Sequence, residues 1–96
     1  MDVERLADED GEGRGVLFGG DPKVVHLRLE AGESVPPHRH PGETVVFHVL
    51  DGEFALTVGE ATERLSAGAV ARFDGAQDIS PSAETDAEAL LVLASD

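Results

Sequence analysis

The sequence predicts a single all-β domain, a small antiparallel β-sandwich or barrel. Three observations carry that reading. Short apolar runs alternate with polar residues at period two, as half-buried strands do. Gly, Pro and Asp turn residues separate them at intervals of roughly 8–12 residues, the rhythm of sandwiches and barrels. A chain of 96 residues also has enough surface to bury for one core and no second one.

The elements follow in order. Residues 1–15 carry many charges and little apolar periodicity, so they are expected to form a loosely held acidic arm; residues 16–96 form the barrel. A first strand begins near Val16 and stops at the turn "GGDP", Gly19 to Pro22. "KVVHLRLEAG" puts Val25, Leu27 and Leu29 on one face and Val24, His26 and Arg28 on the other. "TVVFHVL" and "DGEFALTV" are two apolar runs joined at Asp51-Gly52, a hairpin-type dipeptide. "GEATERLSAG" adds a turn and a short strand, followed by "AVARF", "AQDIS" and "AEALLVLA". The last run is rich in helix formers, but it is too short for its period to decide, and the strands before it favour another strand. Phe18, Phe47, Phe54 and Phe73 are expected to face the core or line a pocket.

Composition excludes several functions. Twenty acidic residues oppose seven basic ones, and the acids are dispersed along the chain. A surface so negative repels phosphate backbones, which argues against nucleic acid as a partner. The single lysine, Lys23, among dispersed Asp and Glu resembles the proteins of salt-loving microbes, where high salt screens such self-repulsion. No apolar run is long enough to span a bilayer, and the acidic N-terminus lacks a signal-like apolar stretch, so no membrane association and a cytoplasmic location are expected. Without cysteine there is no disulfide, thiolate ligand or thiol nucleophile. Any metal must use nitrogen and oxygen donors, which leaves Mn, Fe, Ni, Cu or Zn open.

Within "SVPPHRHPGE", His38 and His40 stand at i and i+2, so on an extended segment both imidazoles project to one side and Arg39 to the other. That is the arrangement a chelating pair needs; the competing reading is two solvated histidines on a polar loop. Pro36 and Pro37 mark a sheet edge or rim. The serines lie in no nucleophile elbow and the glycines in no phosphate-binding loop. His26 shares its face with Arg28, which makes a partly exposed residue the expectation and a further pocket ligand its alternative.

These spacings resemble the cupin superfamily, in particular its small single-domain members. Their first motif runs Gly, five residues, His-x-His, three or four residues, Glu, six residues, Gly. Here Gly32 precedes His38-Arg39-His40 by five residues and "VLDG" closes on Gly52; "PPHRHPGETVVFHVLDGE" is similar to the family's "PPH-x-HP" and "VLEGE" text. The second motif, Gly, five residues, Pro-x-Gly, two residues, His, resembles "SAGAVARFDGAQDIS" in outline from Gly68. Together the matches cover roughly residues 23–93.

The resemblance implies a jelly-roll barrel with His38 and His40 as metal ligands. It also exposes departures. The position of the family's glutamate is Val45, and the nearest carboxylate is Glu43, after the Pro41-Gly42 turn. The proline position of the second motif is Asp74, and its histidine position is Ile79, or Asp78 if the loop is one residue short. Glu43 is therefore the first candidate for a carboxylate ligand and Asp78 the second. His48 lies opposite the Val45 face, towards another sheet or a dimer partner, and is expected to be structural. Two functions follow. The first is a module that binds or senses a divalent metal or a small molecule in the barrel. The second is a metal-dependent enzyme of dioxygenase or isomerase type, which needs at least three protein ligands to hold its ion. Two good ligands favour the binding module. Dimers are frequent in the family, so a homodimer is expected.

Overall fold

A computed structural model describes residues 1–6 and 13–96, and the part of the expected arm spanning 7–12 lies outside the described residues. Eight strands follow one another: β1 (Gly13–Phe18), β2 (Lys23–Leu29), β3 (Glu43–Asp51), β4 (Glu53–Val58), β5 (Ala61–Ser66), β6 (Val70–Asp74), β7 (Ile79–Ala83) and β8 (Ala87–Ser95). The first strand starts at Gly13, three residues before the expected Val16, because Gly13, Arg14 and Gly15 pair with Arg28, Leu27 and His26 of β2. The "AQDIS" run becomes strand only at Ile79 and continues to Ala83. The ambiguous C-terminal run is a strand, held between β2 and β3 from Glu88 to Leu93.

All strand pairs are antiparallel and fall in two sheets, β1-β2-β8-β3-β6 and β5-β4-β7. This is the antiparallel jelly-roll architecture that the sequence predicts. Alternation along each strand turns one side of each sheet inward. Val25, Leu27 and Leu29 of β2, Val45, Phe47 and Val49 of β3, and Ala89, Leu91 and Leu93 of β8 form one wall of the core. Phe54 and Leu56 of β4 with Ile79 and Ala83 of β7 form the facing wall. The rings of Phe47 and Phe54 meet edge to face across the gap, 5.2 Å between centroids, the arrangement favoured by their quadrupoles. Phe73 packs at the margin of this core. Phe18 does not reach it: the register shift between Val16 and Phe18 pairs it with Val24, on the outer side.

Two local features hold the sandwich closed. Gly52, at φ 74°, makes the β3–β4 turn, and a Cβ there would lie 2.8 Å from the Ala87 Cα. The segment from Ser34 to His38 runs beside β7, bridging Ser34 to Ser82 and His38 to Ile79. Val35 N–H donates to the Pro81 carbonyl at 2.9 Å, and the Ser80 hydroxyl donates to the Val35 carbonyl at 2.7 Å. Pro36 and Pro37 thus lie on a sheet edge, where their missing N–H groups cost no ladder bond. None of the described residues forms a helix long and apolar enough to cross a membrane.

Candidate functional site at the barrel mouth

His38 is aimed inward by its partner. Its N–H donates to the Ile79 carbonyl at 3.1 Å and the Ile79 N–H returns a bond of 2.8 Å. Residues paired this way share a face, and Ile79 belongs to the core. The His38 ring therefore lies over the interior, with Nδ1 3.1 Å from the Pro36 carbonyl oxygen. A carbonyl can only accept, so in the neutral ring Nδ1 carries the proton and Nε2 presents its lone pair. This is the form in which imidazole binds a metal.

His40 follows two residues later on the same side. The two rings stand edge to face with centroids 4.8 Å apart, as the i, i+2 spacing predicts. The His40 side chain is 16% exposed, its Nδ1 is 3.9 Å from a Glu43 carboxylate oxygen, and its Nε2 is buried with no hydrogen-bond partner. An orphaned buried nitrogen of this kind is unusual in a folded chain, and among the described residues His26 Nε2 on the outer face is the other one.

The His40–Glu43 turn is fixed from outside by Gly75, in the loop after β6. His40 N–H donates to the Gly75 carbonyl at 2.7 Å, and Gly75 N–H donates to the Glu43 carbonyl at 2.8 Å. A side chain at 75 would collide with the His40 carbonyl oxygen and come within 2.8 Å of the Glu43 carbonyl oxygen. Sequence reading treats Gly75 as an ordinary turn glycine; nothing in the sequence places it against the histidines.

The electrostatics of the mouth favour neutral imidazole at His40. Burial lowers its pKa below the usual histidine value, and the charges of His38 and Arg14 add to this. Glu43 opposes the effect and Lys23 reinforces it. Arg14 sits on β1 opposite Leu27, and Lys23 on β2 opposite Leu93, so both basic residues occupy the inward-facing parity of the large sheet.

The other sequence candidates fall elsewhere. Asp78 is exposed and accepts a 2.7 Å bond from Arg39 Nε, so it pairs with the residue between the histidines rather than with the histidines. That contact lowers the Asp78 pKa, first through the hydrogen bond and then through the guanidinium charge. Val45, which stands where a glutamate would supply a ligand, is fully buried in the core, and so is Ile79, at the histidine position of the second motif. Two donor positions are thus occupied by hydrocarbon. Among the described residues, no three His, Asp or Glu side chains come together in a group able to hold a metal ion.

His26 was expected to be partly exposed and is instead 4% exposed. Because β1 pairs on one side of it and β8 on the other, β2 is an interior strand, and the ring lies on the outer face, away from the pocket. Its Nε2 is 3.5 Å from the Glu88 carboxylate, which also accepts from Arg28 at 3.1 Å. His48 lies on the same outer face, between Leu90 and Val70.

Beside His38 is a small pocket between the sheets, lined by Arg14, His38, Val25, Val35, Ile79 and Leu91 with Leu27 and Pro81 beside them. Its volume is about 20 Å³, space for one water-sized group.

A cupin-domain family model matches residues 25–94, and the chain belongs to the cupin family. Solved structures bear out the fold. One is an RmlC-like cupin protein from Desulfovibrio desulfuricans, with 22% identity over 98% of this chain and 96% of that one and a TM-score of 0.85. A predicted oxalate decarboxylase from Thermotoga maritima is 24% identical over 86% of this chain and 79% of that one, with a TM-score of 0.78. The cupin domain of Schizosaccharomyces pombe Cnp3 is 18% identical over 98% of this chain and 74% of that one, again with a TM-score of 0.85. No curated protein matches the chain.

Proposed function

We propose that this cupin is a binding or sensing module whose mouth, built from His38, His40 and Glu43, takes a small-molecule ligand or a divalent metal. The observation that carries this reading is the buried, unpartnered Nε2 of His40 beside the inward-facing ring of His38. A neutral imidazole pair suits Mn, Fe, Ni, Cu or Zn, and Glu43 brings a carboxylate oxygen to 3.9 Å from His40 Nδ1. A centre with three protein ligands does not assemble from the described residues, so the donor set does not fit the firmly held ion that a metal-dependent dioxygenase or isomerase needs. The likeness to a predicted oxalate decarboxylase, at 24% identity, speaks for the fold alone and adds nothing to the enzyme reading.

The same reading includes a homodimer in a salt-rich cytoplasm. Half-buried Val24, Val46, Leu90 and Val92 on the outer face of the large sheet are the apolar surface that pairing would cover. The net charge of −13 suits a high-salt solvent.

The test is metal stoichiometry by mass spectrometry after loading, on the intact chain and on His38→Ala and His40→Ala. A bound ion lost in both variants supports a metal module. Retention in both, or no binding at all, retires the ion and leaves the small-molecule reading.

A further inference from the structure

We infer that the pocket beside His38 selects a short-chain carboxylate, with its acid group at Arg14 and its hydrocarbon end between Val25, Val35, Ile79 and Leu91. The inference rests on the proposed function for the location of the site and adds the chemistry of the ligand. Its first ground is the composition of the wall. Apart from Arg14 and His38 every lining residue is apolar, so the pocket offers one permanent cation at an otherwise greasy opening. A ligand that fills it is apolar at one end and anionic at the other.

The second ground is the distribution of charge. Twenty acids and seven bases make this a strongly negative chain, yet the charged residue that lines the pocket is an arginine. Arg28, Arg39 and Arg64 each lie against a carboxylate, at 3.1, 2.7 and 3.7 Å. Arg14 and Lys23 instead take the inward-facing parity of the large sheet, and Arg14 reaches the pocket wall. A guanidinium also offers the planar donor fork that a carboxylate fits.

The third ground is size. About 20 Å³ is space for one water-sized group, so the methyl end of a short chain fills it.

The experiment titrates propionate, and separately its neutral isostere propionamide, into the chelator-treated full chain at constant ionic strength, read by methyl and imidazole NMR shifts. Propionate is expected to saturate and to move the methyls of Val25, Val35, Ile79 and Leu91, with at least ten-fold higher affinity than propionamide. Arg14→Gln should abolish that preference and Lys23→Gln should reduce it, while Arg14→Lys retains part of it; unchanged spectra elsewhere verify folding. Equal response to acid and amide, indifference to Arg14→Gln, or shifts away from the pocket overturn the inference. A parallel titration with Zn²⁺ and Mn²⁺ separates the two readings. Propionate binding without metal binding removes the metal and keeps the carboxylate; metal binding without propionate binding does the reverse.

Discussion

The backbones of His40 and Gly75 are locked together: His40 N–H donates to the Gly75 carbonyl at 2.7 Å, with no space for a side chain at 75. A loop from the far side of the chain thereby sets the position of one of the two histidines at the mouth. Gly75→Ala forces this turn apart. The expected cost is about 1–3 kcal/mol, the usual range for overpacking a close contact. Thermal unfolding reads that loss, and the imidazole NMR signals of His38 and His40 should both move. A variant with wild-type stability and unmoved signals would show that the contact is slack.

Ile79 and His38 exchange two hydrogen bonds and share a face. A histidine at 79 would therefore bring a third imidazole to the pair. Ile79→His is expected to raise Zn²⁺ affinity at least ten-fold over the parent chain in chelator competition. Stability should fall at the same time, since a polar ring enters the wall of the core. Affinity equal to the parent's would mean that the new ring turns away.

The depressed pKa of His40 has a sign that can be followed through unfolding. In the unfolded chain the ring titrates near about 6.5. In the folded chain it resists protonation to lower pH. The unfolded state therefore binds the extra proton first, and stability present above pH 6.5 is lost as pH falls through the folded value. Wild-type unfolding temperature should fall between neutral pH and about pH 5 more steeply than that of His40→Gln. Identical slopes would refute the assignment.

Asp78 is held by Arg39 on the exposed rim. Asp78→Asn should leave metal stoichiometry and propionate affinity unchanged within two-fold, as exposed ion pairs contribute little and are screened by salt. Loss of a bound ion in this variant would return Asp78 to the site.

Phe54 closes the core from the small sheet, edge to face with Phe47. Phe54→Ala should cost about 3–5 kcal/mol, a large part of the total for a domain of this size. Denaturant unfolding measures it directly. A cost below 1 kcal/mol would mean that the two sheets are not held by this contact.

The sequence by itself determined the strands, their inward faces and the barrel class. Val25, Leu27 and Leu29, or Val45, Phe47 and Val49, are legible because burial on one side of a strand repeats every second residue. The pairing of His38 with His40 was legible for the same reason. What the tertiary structure alone decided is which distant residues meet them. Gly75 clasps His40, Ile79 opposes His38, and Arg39 draws Asp78 away, all across separations of 35 residues or more. The change of His26 from partly exposed to buried has the same origin: a strand's own pattern tells which face a residue takes, and only its neighbours tell whether that face is covered. Arg14 belongs by sequence to the charged arm, and only its pairing beside Leu27 in β1 brings it to the pocket. Local periodicity is a property of the chain; which partners converge at the site depends on how the two sheets fold over each other.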